Sequence, residues 1–527
     1  MYRVVDLSLK AFAAPVGNGD AVMKPIMNYR PGPPILIERI NESRPVLEVL
    51  SYYRQYQAMS GIQPGEIFQK GMLTSKPYTT YLTFRNCDEK DPWTAKEPAE
   101  LGPEDLCGHF TIADLTGVQP GQTISVDQLR KAISDKIATR ILFIRTDYSK
   151  NRPDRPDQSY LSQSPTLSPE AARWLTTLGI RVLGGDVRTF DPRYTGRGDS
   201  DIYSILNSAG IVVVEDLVNL DKVEKRHDFV FVGIPLAIYG MIGGPSRVFA
   251  VNMAEPTDFV DLSHPLDFYP QEVPDHGYPF VPPKSEIALN DIGDYPNPWP
   301  GRIEPREDQA TTMRNTRLTP FKLVNESGKE IGRDMYIEYG HATGTHIEAA
   351  FFDPWGRHGV PDEIMRRYVR IPNDRLVARG CLLDLSEAVG PLQQVDYTHL
   401  EKADPGLQPG DICLIRADIT DWHFFGSAPG KTPGLSPDAA KWLLDKKIRT
   451  LVVDFAVEKS DPQPSSPFIK YTPNKIHYFL HKNDIPIVEW AVGMKNIRKD
   501  RFTVAICSLN TSHWGGHPAH VFVVEEW

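Results

Sequence analysis

The chain says the same thing twice. VDLSL at residues 5–9 returns as VDLSHPLD at 260–267, and ILFIRTD at 141–147 returns as ICLIRAD at 412–418. LSPEAARWLTTLGIRVLGGD at 167–186 matches LSPDAAKWLLDKKIRTLVVD at 435–454, GIVVVEDL at 210–217 matches DIPIVEWA at 484–491, and GGPSRVFAV at 243–251 matches GGHPAHVFVV at 515–524. The segments keep their order, which is the mark of a tandem duplication. The boundary falls near residues 252–258, so the expected domains are 1–255 and 256–527. No other feature constrains the fold as strongly, because whatever one copy folds into must also suit the other. Length agrees: single cores stop growing at roughly 250 to 300 residues, and the chain has 527.

Each copy carries the same local instructions. Ser168 and Ser436 are good N-caps, each followed by a proline suited to the first helical turn and then by an acidic residue, which favours a helix N-terminus. Ala172, Leu175 and Leu178, like Ala440, Leu443 and Leu444, then recur at helical spacing. IRVLGGD and IRTLVVD follow as short apolar runs that read as buried strands. Each copy is therefore an α/β unit, while the proline-rich stretch 270–307 reads as a long irregular arm.

Composition removes several function classes. A formal net charge of −10 argues against a general nucleic-acid binder, which needs a basic face. No apolar run reaches the roughly 18 residues of a membrane span, and the first twenty residues lack a secretory pattern. Five cysteines without a Cys-x-x-Cys support neither a disulfide framework nor a thiolate zinc site. LGGD and MIGGP are glycine turns without a phosphate-loop pattern, and Cys87 has no histidine near it in sequence. A cytoplasmic enzyme acting on a small molecule, with no nucleic-acid or membrane partner, is the expectation.

The chemistry sits in one copy. HATGTHIEAAFFDPWGRHG at 341–359 crowds His341, His346 and His358 around Gly344 and Glu348. A lone histidine is more often satisfied by a backbone carbonyl than bound to a metal. Here, however, His346 and Glu348 are two apart and share a side in extended chain, and a turn at Gly344 brings His341 round to them. Two imidazoles and a carboxylate converging at a bend are the ligand set of an open catalytic metal site. Downstream, NKIHYFLHKNDIPIVEWAV reads as a helix with Ile476, Phe479 and Leu480 buried and His477 and His481 on a neighbouring face. A strand carrying Glu489 follows, and such a carboxylate in apolar surroundings normally has a partner: an ion pair on the plainer reading, a metal or a perturbed acid on the sharper one.

Together, GTHIE, the His477 and Glu489 pair, the LSPDAA helix and VDLSHPLD resemble the cyclase superfamily that contains bacterial kynurenine formamidase and isatin hydrolase. Its signature is His-x-Gly-Thr-His-x-Asp-x-Pro-x-His followed much later by a His and a Glu, and the resemblance spans both copies. It implies a mixed β/β/α swivelling fold, zinc or manganese, and hydrolysis of an amide, lactam or lactone by a metal-activated water. It also implies pairing of subunits across the pocket, here an intramolecular pseudo-dimer able to form further homo-oligomers. The implied metal ligands are His341, His346, Glu348, His477 and Glu489.

The match has departures. The signature's first His falls on Ala342 rather than His341, Glu348 replaces the usual Asp, and the trailing Pro and His fall on Ala350 and Phe352. The missing acid/base histidine could be supplied by His358 or by His513, His517 or His520 of the tail, with Glu489 also a proton carrier. In the first copy Tyr203 stands at the place of His477 while Glu215 remains, so that copy reads as degenerate, with one active site per chain. Two other functions remain open from the sequence: a metal-assisted cyclase or dehydratase acting on a small aromatic or polyketide-like compound, and a non-catalytic binding protein.

Overall fold

A computed structural model describes, with short gaps, residues 101–263, 371–418, 433–457 and 475–525, together with segments at 4–6, 47–51, 69–74, 81–83, 317–324, 330–340 and 344–349 and residue 364. The proline-rich stretch 270–307 and Cys87 lie outside the described residues. The paired serines cap as expected: Ser168 Oγ accepts from the Ala171 amide and Ser436 Oγ from the Ala439 amide, both at 3.1 Å. The capped helices, Pro169–Thr176 and Pro437–Asp445, bury Ala171, Ala172 and Leu175 in one copy and Ala439, Ala440 and Leu443 in the other. One member of each expected stripe departs from it. Leu178 lies past the last helical turn, and Leu444 is only partly buried.

The fold is mixed α/β, and its two large sheets are built alike. The first has nine strands, in the spatial order Val4–Asp6, Phe249–Asn252, Phe229–Val232, Gly108–Asp114, Ile141–Arg145, Val182–Gly185, Val212–Glu215, Tyr81–Thr83 and Gly243–Pro245. The second has eight, in the order Phe259–Asp261, Gly516–Val524, His346–Glu348, Ile487–Glu489, Thr450–Val453, Ile412–Arg416, Val377–Asp384 and Arg501–Ser508, and it closes on itself because Arg501–Ser508 also pairs with Gly516–Val524. In each, the middle strands run parallel and the flanking pairs antiparallel. Parallel strands buried on both faces need continuous apolar runs, which is why VLGG and TLVV carry no polar alternation.

The copies agree in unusual details. Asp147 and Asp418 both adopt left-handed backbone, with φ of 60° and 54°, a conformation that aspartate tolerates better than most side chains. Each is held by the arginine two residues before it, at 2.7 Å. The buried Asp186 and Asp454 take equivalent parts, accepting from the amides of Thr146 and Asp147 and of Ala417 and Asp418 respectively. Burial drives both carboxyls up, to about 6 for Asp186 and about 7 for Asp454.

The two sheets share a core. Phe110, Phe143, Phe231 and Phe249 of the first pack in one cluster with Ile347, Leu414, Val452 and Phe522 of the second. A four-stranded sheet also crosses between copies. Gln69–Thr74, just ahead of Tyr81–Thr83, pairs antiparallel with Glu330–Gly340, just ahead of His346–Glu348, and the outer strands are Leu47–Ser51 and Arg317–Val324. Among the described residues no helix is long and apolar enough to cross a membrane.

Candidate metal centre

Gly344 has φ 61°, in the left-handed region that glycine enters without a Cβ penalty. The bend feeds the three-residue strand His346–Glu348, which lies between Ile487–Glu489 and Gly516–Val524. Register sets His346 opposite Glu489, and paired residues of an antiparallel ladder share a face. Thr345 Oγ1 donates to the Trp490 carbonyl at 2.7 Å, tying the bend to the residue after Glu489. Helix Lys475–Lys482 brings His477 to the same carboxylates.

Four side chains meet there, each no more than 5% exposed: His346, Glu348, His477 and Glu489. His346 Nε2 lies 3.4 Å from Glu348 Oε1 and 3.8 Å from Glu489 Oε2, and His477 Nε2 lies 3.1 Å from Glu348 Oε2 and 3.4 Å from Glu489 Oε1. Glu489 Oε1 also accepts from the Val457 amide at 2.7 Å, which orients the carboxylate. Burial opposes the charged form of Glu348, yet His477 and His346 outweigh it and hold that carboxyl well below its usual range. Burial likewise opposes charge on His346, and the two carboxylates overcome it, raising the imidazole.

Among the described residues no group of three such side chains is arranged, as it stands, to hold a metal ion; the four contact one another instead. Their spacing nevertheless suits an ion, since donors about 2.1 Å from a tetrahedral cation stand on the order of 3.4 Å apart. The tautomer of His346 points the same way. Its Nδ1 sits 2.9 Å from the Gly344 carbonyl, so Nδ1–H donates there and leaves the lone pair on Nε2. That buried Nε2 makes no hydrogen bond among the described residues and faces two carboxylates. A lone pair and two carboxylate groups facing one another demand a cation or a proton, and two carboxylates with two neutral imidazoles balance a dication. Nitrogen and oxygen donors without thiolate suit zinc and manganese.

The other candidates are placed differently. His341 and His358 lie outside the described residues, as does His513. His517 stands opposite Ile347 in the backbone register, and its side chain is outside the description. His520 is engaged elsewhere: Nδ1 meets the Pro235 carbonyl at 2.7 Å and Nε2 meets Asp261 Oδ2 at 2.9 Å. The face of the helix expected to lie beside its buried stripe is itself buried, with His477 at 5% and His481 at 1% exposure. His481 hydrogen-bonds the Glu348 carbonyl, and burial together with His477 pushes it down to about 3.

The equivalent place in the first copy is filled by a phenol. The Tyr203 hydroxyl lies 2.6 Å from Glu215 Oε1 and 2.7 Å from Thr189 Oγ1, and Glu215 Oε1 accepts from the Phe190 amide at 2.8 Å. That amide contact repeats the one between Val457 and Glu489, so Glu215 has a structural reason to persist without any ion.

A family model described as a putative cyclase matches residues 70–192 and 260–458. Among solved structures, isatin hydrolase A from Labrenzia aggregata bound to benzyl benzoate is 19% identical over 51% of this chain and 94% of that one, with a TM-score of 0.35. Isatin hydrolase A from Ralstonia solanacearum is 16% identical over 51% and 92%, with a TM-score of 0.34. A potential metal-dependent hydrolase with cyclase activity is 19% identical over 40% and 89%, with a TM-score of 0.30. No curated protein matches significantly.

Proposed function

The chain belongs to the cyclase family whose model matches both of its copies, and from that premise we propose that it is a metal-dependent hydrolase of an amide, lactam or lactone bond in a small cyclic or aromatic metabolite. The observation that carries this reading is the convergence of His346, Glu348, His477 and Glu489, with the buried Nε2 of His346 aimed between two carboxylates.

These four residues would hold zinc or manganese, and His341, which follows the strand Glu330–Gly340 in sequence, is proposed to join them. A divalent ion held there would supply Lewis acidity toward a substrate carbonyl and would lower the pKa of a water toward neutrality. The Gly344 carbonyl keeps the proton on Nδ1 of His346 and so keeps Nε2 available as a donor atom. The Val457 amide fixes Glu489 Oε1, leaving Oε2 to take up or return a proton. Proton delivery to the leaving group is assigned to His358 or His517. Residues 1–255 are proposed to act as a fused partner rather than a second active unit. The shared core, the crossing four-stranded sheet and the Tyr203-filled counterpart of the site support that role.

The test is metal quantification of protein purified without chelator, followed by turnover of N-formyl amides, lactams and lactones. Bound zinc or manganese with hydrolysis of one class is expected. Protein that carries no ion, and whose melting temperature neither zinc nor manganese raises, overturns the proposal.

A further inference from the structure

The site contains a histidine with no assigned part. His477 and His481 are four apart on helix Lys475–Lys482, so they share one face. His477 reaches the Glu348 carboxylate, 3.1 Å from Oε2, while the His481 imidazole donates to the main-chain carbonyl of the same residue. The two rings meet edge to face, with centroids 5.8 Å apart and planes at 74°. One helix thus grips Glu348 at both ends of the residue. Glutamate has one more rotatable bond than the aspartate usual at this place, and its strand is only three residues long, so its carboxylate needs the main chain fixed as well as the head.

The first copy supplies a contrast. Asn207 lies four residues after Tyr203, as His481 lies four after His477. Its buried side-chain atoms make no hydrogen bond among the described residues. The anchoring bond is present in the copy that keeps the ligands.

We propose that His481 is a positioning residue, which sets Glu348 and the His477 ring in the geometry that an ion requires; this rests on the metal site proposed above. The experiment is a titration of metal-free full-length protein with Co2+, followed by visible absorption, for the wild type, His481→Leu and His481→Gln. His481→Leu is expected to weaken Co2+ binding by roughly 10- to 100-fold and to alter the absorption band. His481→Gln, whose amide can still donate, recovers most of both, and the three metal-free proteins melt at similar temperatures. His481→Leu with wild-type affinity and band overturns the inference. So does an affinity loss that His481→Gln does not recover and that runs parallel to a loss of metal-free stability. If the leucine variant does not fold, His481→Asn, carrying the first copy's residue, takes its place under the same criteria. A wild type that binds no Co2+ overturns the metal reading itself before any variant is compared.

Discussion

Arg247 and His520 hold the same place in the two copies, and each reaches into the other half of the chain. Arg247 is buried, donating to the Ile371 carbonyl and Asn373 Oδ1, both at 2.7 Å, while its amide donates to the Ser508 carbonyl. His520 reaches back to the Pro235 carbonyl. Equivalent positions thus each hydrogen-bond the opposite half of the chain.

Both ring partners of His520 are acceptors, so only the imidazolium satisfies them. Burial opposes that charge, but Asp261, with a smaller contribution from Glu104, raises the folded-state pKa above the ordinary histidine value. A raised folded pKa stabilises fully below the unfolded value, near about 6.5, and the contribution fades as pH rises through the folded value. Urea unfolding followed across roughly pH 5 to 9 should therefore show stability falling in that window, and His520→Gln should flatten the fall. An unchanged slope in the variant refutes the assignment.

Arg247→Leu removes the donors to Ile371 and Asn373 and leaves a buried carbonyl unmatched. A destabilisation on the order of 3 kcal/mol is expected, read as a shift in the denaturation midpoint. A shift well under about 1 kcal/mol means that solvent or a neighbour replaces those bonds.

Tyr203→Phe takes a hydroxyl from between Glu215 and Thr189. It should cost about 1–3 kcal/mol and leave metal content unchanged. Loss of metal in this variant would contradict the view that the first copy's site is structural.

His346→Ala should lower zinc or manganese affinity by at least the roughly 10- to 100-fold typical of losing even an outer-shell partner, with the fold retained by circular dichroism. A metal-replete His346→Ala protein removes His346 from the ligand set.

Gly344→Ala places a Cβ at φ 61°, costing about 1–2 kcal/mol. The carbonyl that fixes the His346 tautomer moves with that backbone, so metal affinity should fall alongside stability. Calorimetric titration and thermal melting of the one variant report the two effects separately.

The duplication, the capped helices and the parallel strands were legible because each is a local rule written twice. Ser168 and Ser436 needed no partner from elsewhere to declare themselves. The four converging donors were legible as residue types at telling spacings, but their contacts were not. His346 and His477 share Glu348 and Glu489 only because strands distant in sequence lie side by side. The part of His481 was missed for the same reason: its signal, four residues from His477, was present, but its partner is a main-chain carbonyl, and carbonyls leave no mark in a sequence. His520 is an acid/base candidate by sequence because nothing in GGHPAH reveals that Pro235 and Asp261 already occupy both ring nitrogens.

The strand Gln69–Thr74 finds its neighbour in Glu330–Gly340, so its edge stays open until most of the polypeptide has been made. Pairing at such separation closes a very large loop, and chains rich in non-local pairings fold slowly. During synthesis the first copy waits with an unsatisfied edge, the kind of surface that recruits stray strands. Expressed without its successor, it should be the more aggregation-prone of the two preparations, the other being the full-length chain.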